Sequence, residues 1–340
     1  MAETSSAGRV GWAVLGCGRV ADRRIAPAIL GADNAELVAF CSRSLDRASE
    51  YMERHEAELA FDNLDEMLAE PAVEAVYVAT PNALHVEGAV AALEAGKHVL
   101  VDKPLATTLD DARQIAEAAQ RARRTLSVMF QMRYHPANEQ VKQMIEEGAL
   151  GRLSVVRAQI GFWFAPADVW RHDVELAGGG PGMDLAPHAI DLLRSLAGDV
   201  TAVQATTGNV QFHYNVEDLA LATLWFASGA MGRLDVSYCT HEYGGRVEVH
   251  GSEASAVIDG SLQQIGGYRI WYRRGKPDEP VQIVEGQTSN CYEAAIEEFS
   301  DAVLQGRQPA ITATDGLRNL EVIEAMYESA RTERRVSLEG

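Results

Sequence analysis

Lysine is scarce in this 340-residue chain, cysteine occurs at only four positions, and no uniformly apolar stretch is long enough to span a bilayer. Basic residues are outnumbered, with 30 Lys and Arg against 49 Asp and Glu and a formal charge of -19. Binding to nucleic acid or an anionic membrane surface relies on clustered Lys and Arg, so neither is expected as a partner. Cys17, Cys41, Cys239 and Cys291 are scattered, with no Cys-x-x-Cys pair. That excludes a disulfide framework and a zinc site, and no cluster of histidine and cysteine has metal-ligand spacing. The opening MAETSSAGRV has neither the basic start nor the apolar core of a signal peptide, which makes the cytoplasm the expected compartment.

The length exceeds a typical domain of ~100 to 200 residues, so two are expected. From Val10 to about Met129, short runs rich in Val and Ala alternate with helix-period segments. This is the pattern of a parallel sheet covered on both faces by crossover helices. Val10 to Leu15, Leu37 to Cys41, Ala75 to Ala79, Val99 to Val101 and Leu126 to Met129 are the expected strands. Beyond the helical stretch Asn138 to Glu147, the segments Leu153 to Ile160, Val200 to Thr207, Leu219 to Phe226, Met231 to Tyr238, Arg246 to His250 and Arg269 to Tyr272 alternate as antiparallel strands do. A glycine cluster, Gly178 to Gly180, and a helix in MDLAPHAIDLLRSLAG interrupt them. The expected fold is α/β: an N-terminal Rossmann domain with a doubly wound parallel sheet over 1–130, then an α+β domain with a mostly antiparallel open sheet over 131–340. Helices near the C-terminus have the option of packing back on the first domain. Strands with one apolar face leave a sheet surface uncovered, and a homo-oligomer follows.

In VLGCGRVA, Gly16, Gly18 and Ala21 come directly after a buried strand and at the opening of a helix. Gly16 permits a tight turn, Gly18 lets the backbone approach a pyrophosphate, and Ala21 lets helix and strand pack closely. With Arg19 and Val20, they place phosphates at the helix N-terminus. The bland alternative is a glycine turn without a ligand. NAD-preferring folds put Asp or Glu at the end of the second strand, but here LVAFC runs into Ser42, Arg43 and Ser44. A hydroxyl and a guanidinium suit a 2'-phosphate, which favours NADP(H). NAD(H) stays open if Arg43 only faces solvent or stacks on adenine.

TPNALH (Thr80 to His85), GKHVLVDKPLA (Gly96 to Ala106) and GGGPGMDLAPHAID (Gly178 to Asp191) follow in order. With VLGCGRVA and the late SGAMGRL hairpin, they resemble the family of glucose-fructose oxidoreductase, inositol 2-dehydrogenase and the rhizopine-catabolism dehydrogenases (Gfo/Idh/MocA) over nearly the whole chain. The family's Glu-Lys-Pro motif falls on Asp102, Lys103 and Pro104, with Asp in place of Glu. The resemblance implies a catalytic set of Lys103, Asp184 and His188. It also implies that Thr80, Pro81, Asn82 and His85 form the loop near the nicotinamide, and that Asp191 completes the second motif. Sugars or cyclitols are the implied substrates, and a homodimer or homotetramer built through the C-terminal sheet is the implied assembly.

The same residues make chemical sense by themselves. Lys103 follows the apolar strand HVLV, at the carboxyl edge of a parallel sheet where open α/β folds bind ligands. Asp184, His188 and Asp191 are spaced i, i+4, i+7 along one expected helical face. Exchanging a secondary alcohol and a ketone needs a group that takes and returns the hydroxyl proton, and histidine titrates near working pH. His188 is assigned that role, Lys103 the stabilisation of charge on the reacting oxygen, and Asp184 the orientation of His188 or of substrate. The structural alternative makes Asp184 a helix cap and His188 a buried, satisfied histidine. Arg133, Tyr134, Trp170 and Arg171 are the substrate candidates, since aromatic faces and guanidinium forks suit a polyhydroxylated ring. Trp163, Phe164, Tyr238, His241 and Tyr243 are weaker ones. Two further readings stand beside this one: an aldose or dihydrodiol dehydrogenase, and a non-catalytic dinucleotide sensor.

Overall fold

Val10–Leu15 (β1) and Ala75–Val78 (β4) are buried at every residue, as strands with helices on both faces require. They sit at the centre of a six-stranded parallel sheet with Ala35–Cys41 (β2), Leu59–Phe61 (β3), His98–Val101 (β5) and Leu126–Val128 (β6), in the order β3-β2-β1-β4-β5-β6. The structure is a computed structural model and describes residues 8–241, 245–275 and 279–338, so Tyr243 lies outside the described residues. β3 and the helix Leu64–Ala69 after it add to the five strands read from sequence. A three-residue strand is too short for any periodicity to register.

Local chemistry sets the helix ends. Ser44 and Thr108 cap Leu45–His55 and Leu109–Ala122 by accepting from Arg47 N and Asp111 N, each satisfying a backbone donor with no intrahelical partner. The strand order reverses between β1 and β4, which opens a crevice beyond their carboxyl ends.

The chain divides into two units, one of residues up to 129 with 292–317, the other of 130–291 with 318 onward. Residues 292–317 thus group with the first unit, the packing back that the sequence leaves open for helices near the C-terminus. Trp12 explains the return: its Nε1 donates to Ser300 Oγ at 3.1 Å and its ring lies 5.2 Å from Phe299. Asn34 likewise donates to Asp301 Oδ1 at 2.7 Å.

In the second unit nine strands form one sheet: Leu153–Gly161 (β7), Val200–Gly208 (β8), Leu219–Phe226 (β9), Met231–Ser237 (β10), Arg246–Gly251 (β11), Ala254–Asp259 (β12), Gly267–Arg274 (β13), Gln282–Gln287 (β14) and Val336–Ser337 (β15). Their order is β14-β13-β12-β11-β7-β10-β9-β8-β15, antiparallel except where β7 meets β10. Burial alternates strictly along β9, and the helix Ala186–Ala197 packs against β7 and β10. The sequence reading lacks β12, β14 and β15, because GSEAS registers as a turn and the other two are polar or very short. No helix among the described residues is long and apolar enough to cross a membrane.

The helix expected through MDLAPHAIDLLRSLAG is interrupted. Pro181–Asp184 ends at Asp184, Leu185 is a turn residue, and Ala186–Ala197 begins anew. Pro187 has no N–H to give the carbonyl four residues back. His188 N instead bonds Leu185 O at 3.2 Å, three residues back.

Candidate functional site

The loops leaving β1, β2, β4 and β5 carry Gly16 to Gly18, Ser42 to Ser44, Thr80 to Asn82 and Asp102 to Pro104. All four follow carboxyl ends of neighbouring strands, so the first unit gathers these candidates at one edge of its sheet. Gly16 has φ 106°, its N–H bonds Cys41 O at 2.9 Å, and a Cβ there would lie 2.8 Å from the Ala79 carbonyl. Only glycine fits. At Gly18 a Cβ would meet nothing within 4 Å, so packing inside the chain does not demand that glycine. Open space at this point of the loop is what a pyrophosphate needs. Ala21 is fully buried and packs the following helix onto the sheet. That helix runs on through a π-turn at Ala21–Ile25 with no side-chain cap, which leaves its first N–H groups facing the loop. Arg19 is exposed and Val20 half-buried.

At the end of β2, Ser42 is half-buried and Arg43 exposed, while Ser44 is engaged as the helix cap. Sequence reasoning missed Arg47. Its Nε reaches Cys17 O at 3.3 Å, one guanidinium nitrogen donates to Tyr51 Oη at 3.0 Å, and its Cζ lies 4.8 Å from the Tyr51 ring centroid. Tyr51 Oη in turn donates to Gly18 O at 3.3 Å, pinning the glycine loop. The signal was available as a second basic position in SRSLDR, five residues after Ser42 on the first turn of a capped helix. Cys17 lies within the loop, and burial pushes its thiol up to about 12, which makes it a packing residue.

Tyr77 donates to Asp102 Oδ1 at 3.0 Å beside Lys103, so the shorter carboxylate that replaces Glu still has a partner. Burial, then Asp102, drives the Tyr77 phenol well above its ordinary value, keeping it a donor. Lys103 is half-buried in a loop whose Lys103–Pro104 peptide is cis. His85 is fully buried, with Nδ1 2.9 Å from Pro104 O and Nε2 3.0 Å from Thr80 O. Both ring nitrogens face carbonyls of the neighbouring loops, and burial lowers its pKa. His85 therefore ties the Thr80 loop to the Pro104 loop, a different role from lining a nicotinamide site. Asn82 is buried and Pro81 half-buried, while Thr80 Oγ1 is buried with no hydrogen-bond partner. An orphaned hydroxyl in this loop, with the open side of Gly18, fits a bound dinucleotide.

In the second unit Asp184 Oδ2 accepts from Tyr238 Oη at 2.8 Å and lies 3.6 Å from Arg171 Nε. Arg171 also lies over Trp170, 4.4 Å from its ring centroid. His188 is a buried residue of Ala186–Ala197. Arg133 is spent otherwise: it makes a bidentate pair with buried Asp191, at 2.9 and 2.5 Å, so its fork serves the fold. Tyr134 ends the short turn Gln131–Tyr134 beside it. Trp163 stacks on His241 at 4.3 Å, and Phe164 packs on Tyr238 and His172.

Glu217, absent from the sequence reading, holds the glycine cluster. Its carboxylate accepts from Gly180 N and Gly182 N, each at 2.9 Å, and from Tyr327 Oη at 2.8 Å. A Cβ at Gly179 would sit 2.0 Å from Tyr327 Oη, and one at Gly180 1.9 Å from Glu217 O, which explains the run of glycines. Asn319 adds a tether, donating to Pro187 O at 2.8 Å.

A doubly wound sheet with an open glycine turn at its switch point, followed in the chain by a second sheet and by helices that carry Asp184 and His188, defines a dinucleotide-binding oxidoreductase. The chain belongs to the Gfo/Idh/MocA oxidoreductase family. Residues 10–130 match the model described as oxidoreductase family, NAD-binding Rossmann fold, and residues 138–257 match the GFO/IDH/MocA C-terminal domain. It is 30% identical over 333 residues to 1,5-anhydro-D-fructose reductase of Ensifer adhaerens, covering 96% of this chain and 98% of that one. D-xylose 1-dehydrogenase (NADP(+)) 2 of Haloferax volcanii is 28% identical over 330 residues, covering 96% and 99%. Among solved structures, aldose-aldose oxidoreductase from Caulobacter crescentus, complexed with glycerol, superimposes with a TM-score of 0.91 at 30% identity, over 97% of this chain and 100% of that one.

Proposed function

We propose that this oxidoreductase uses NADP(H) and acts on a sugar or sugar derivative, interconverting a ketone and a secondary alcohol. The observation that carries the cofactor reading is the rim of the glycine turn, where Ser42, Arg43 and Arg47 stand and no carboxylate ends β2. The sugar reading draws support from relatives named for sugar substrates along the full chain. Trp170 and Arg171 beside Asp184 give it a local basis.

Gly16, Gly18 and the following helix would hold the pyrophosphate, with Ser42, Arg43 and Arg47 on the 2'-phosphate and Thr80 to Asn82 near the nicotinamide. The bound dinucleotide supplies or accepts the hydride. His188 takes the proton from the substrate hydroxyl, or returns it during reduction. Lys103 donates a hydrogen bond to the same oxygen. Asp184 orients His188 or a neighbouring substrate hydroxyl, and Tyr134, Trp170 and Arg171 contact the ring.

Arg43→Asp and Arg47→Leu test the cofactor assignment by fluorescence titration with both nucleotides. Each charge-assisted contact is worth ~1.5 to 3 kcal/mol, so NADPH affinity should fall about 10-fold to 150-fold. NADH affinity should fall far less than NADPH affinity with either variant, with a small shared loss for Arg47→Leu because that side chain also braces the glycine loop. Equal weakening of both nucleotides removes the phosphate-reading role. Steady-state turnover of NADPH with a panel of keto-sugars tests the reaction, and no turnover across the panel contradicts it.

The sheet of the second unit also points to a homo-oligomer. Leu221, Thr223, Val257 and Trp271 alternate with buried neighbours on its strands, yet all four keep solvent exposure. Light scattering at micromolar concentration should show a dimer or tetramer, whereas a monomer counts against that assembly.

A further inference from the structure

Tyr238 is fully buried just beyond the end of β10, yet its hydroxyl is aimed at a carboxylate. Its ring is wedged among Phe162, Phe164, His172 and Tyr214, with centroids 5.1 to 6.5 Å away. Packing of that kind needs only a phenyl ring. A buried phenol has to find an acceptor, and this one is Asp184 Oδ2 at 2.8 Å. Arg171 approaches the same oxygen from the turn Trp170–His172.

We infer that Tyr238 is a positioning residue: its hydroxyl fixes the rotamer of Asp184 and holds that carboxylate ionised. The inference rests on the proposed roles of Asp184 and His188. Asp184 closes a four-residue helix, immediately before the break that Pro187 imposes. The groups around it define the balance. Tyr238 and Arg171 favour the anion, Glu217 in the loop before β9 acts on the Tyr238 phenol, and His188 follows four residues later on Ala186–Ala197. Glu217 already accepts two amides and the Tyr327 hydroxyl, so its charge is anchored on the glycine cluster. Burial first, then Asp184, drives the Tyr238 phenol well above its ordinary value. At working pH it therefore stays a donor and does not supply the exchanged proton.

Tyr238→Phe keeps the ring and removes the hydroxyl. A hydrogen bond to a charged group that is lost in this way raises a carboxyl pKa by about one to two units. Because the anion is the form being stabilised, the acid limb of the turnover profile should move to higher pH by that amount. Turnover at neutral pH should fall ~10-fold as the carboxylate loses its fixed rotamer, with NADPH affinity nearly unchanged and the melting temperature lower by about a few degrees, as the weaker stabilisation of the anion requires. A second readout is independent of turnover: the side-chain carboxyl carbon of Asp184, followed by NMR in labelled protein, should titrate at higher pH in the variant. An unmoved acid limb and an unmoved Asp184 titration overturn the inference, even if turnover drops, because a purely structural tyrosine would behave that way. Asp184→Asn, measured in parallel, separates the two levels. Near-normal turnover in that variant contradicts the proposed role of Asp184 itself, whereas severe loss there with an unaffected Tyr238→Phe contradicts only the part given to Tyr238.

Discussion

His188→Asn should cut turnover by ~10² to 10⁴, the usual worth of a positioned acid or base, while leaving NADPH affinity almost untouched. The reasoning starts from the residue type. Asparagine keeps a polar side chain of similar reach and cannot exchange a proton near neutral pH. His188 is 6% exposed, on a helix whose other buried positions are mostly Ala, Leu and Ile, so the substitution changes little surface. Single-turnover kinetics read the chemical step and a separate titration reads the nucleotide. Near-normal turnover with an unchanged pH profile would remove His188 from the chemistry. Neither obvious substitute is well placed to take over, since His85 has both ring nitrogens against carbonyls and the Tyr238 phenol is held to Asp184.

Lys103→Met should cost a comparable factor. A preorganised charge aimed at the reacting oxygen is typically worth ~3 to 4 kcal/mol, or a few hundred-fold to roughly a thousand-fold in turnover. Methionine preserves the unbranched stem and removes the ammonium. The Asp102 to Tyr77 bond and the His85 bridge are made by other side chains, so the loop should keep its shape. Groups that act together are not additive, and the double variant should lose less than the product of the two single losses. Losses that multiply fully would mean that Lys103 and His188 contribute to separate steps.

Much of this architecture is legible in the sequence. The first unit announces itself because parallel strands buried on both faces read as short Val and Ala runs between helix-period segments, and Gly16 is forced by a carbonyl 2.8 Å away. Elements that escaped are those whose stability is not local. β3 has three residues, β15 has two and β14 is largely exposed, so their place in a sheet comes from neighbours far along the chain. The return of 292–317 to the first unit depends on Trp12 meeting Ser300 and Phe299, a pairing across 288 residues for Ser300 that no window reveals.

Among the candidate residues, motifs predicted position better than partnership. Arg133 reads as a substrate fork until Asp191 takes both of its arms. Glu217 and Tyr327 carry no motif, yet they dictate why three glycines precede Pro181. Pro187 was legible as a helix-start residue; that it splits the helix directly after Asp184 follows from the missing N–H.

The central claim is that this chain transfers hydride to or from a sugar carbon, with His188 moving the proton. Its most direct test uses NADPH deuterated at the transferable C4 position, a panel of keto-sugars and mass spectrometry of the products. The account predicts one deuterium on the new carbinol carbon of a turned-over sugar, with formation of that product reduced at least ~100-fold in His188→Asn. Tight NADPH binding with no label reaching any sugar in the panel would contradict it and leave a dinucleotide-binding protein without this chemistry.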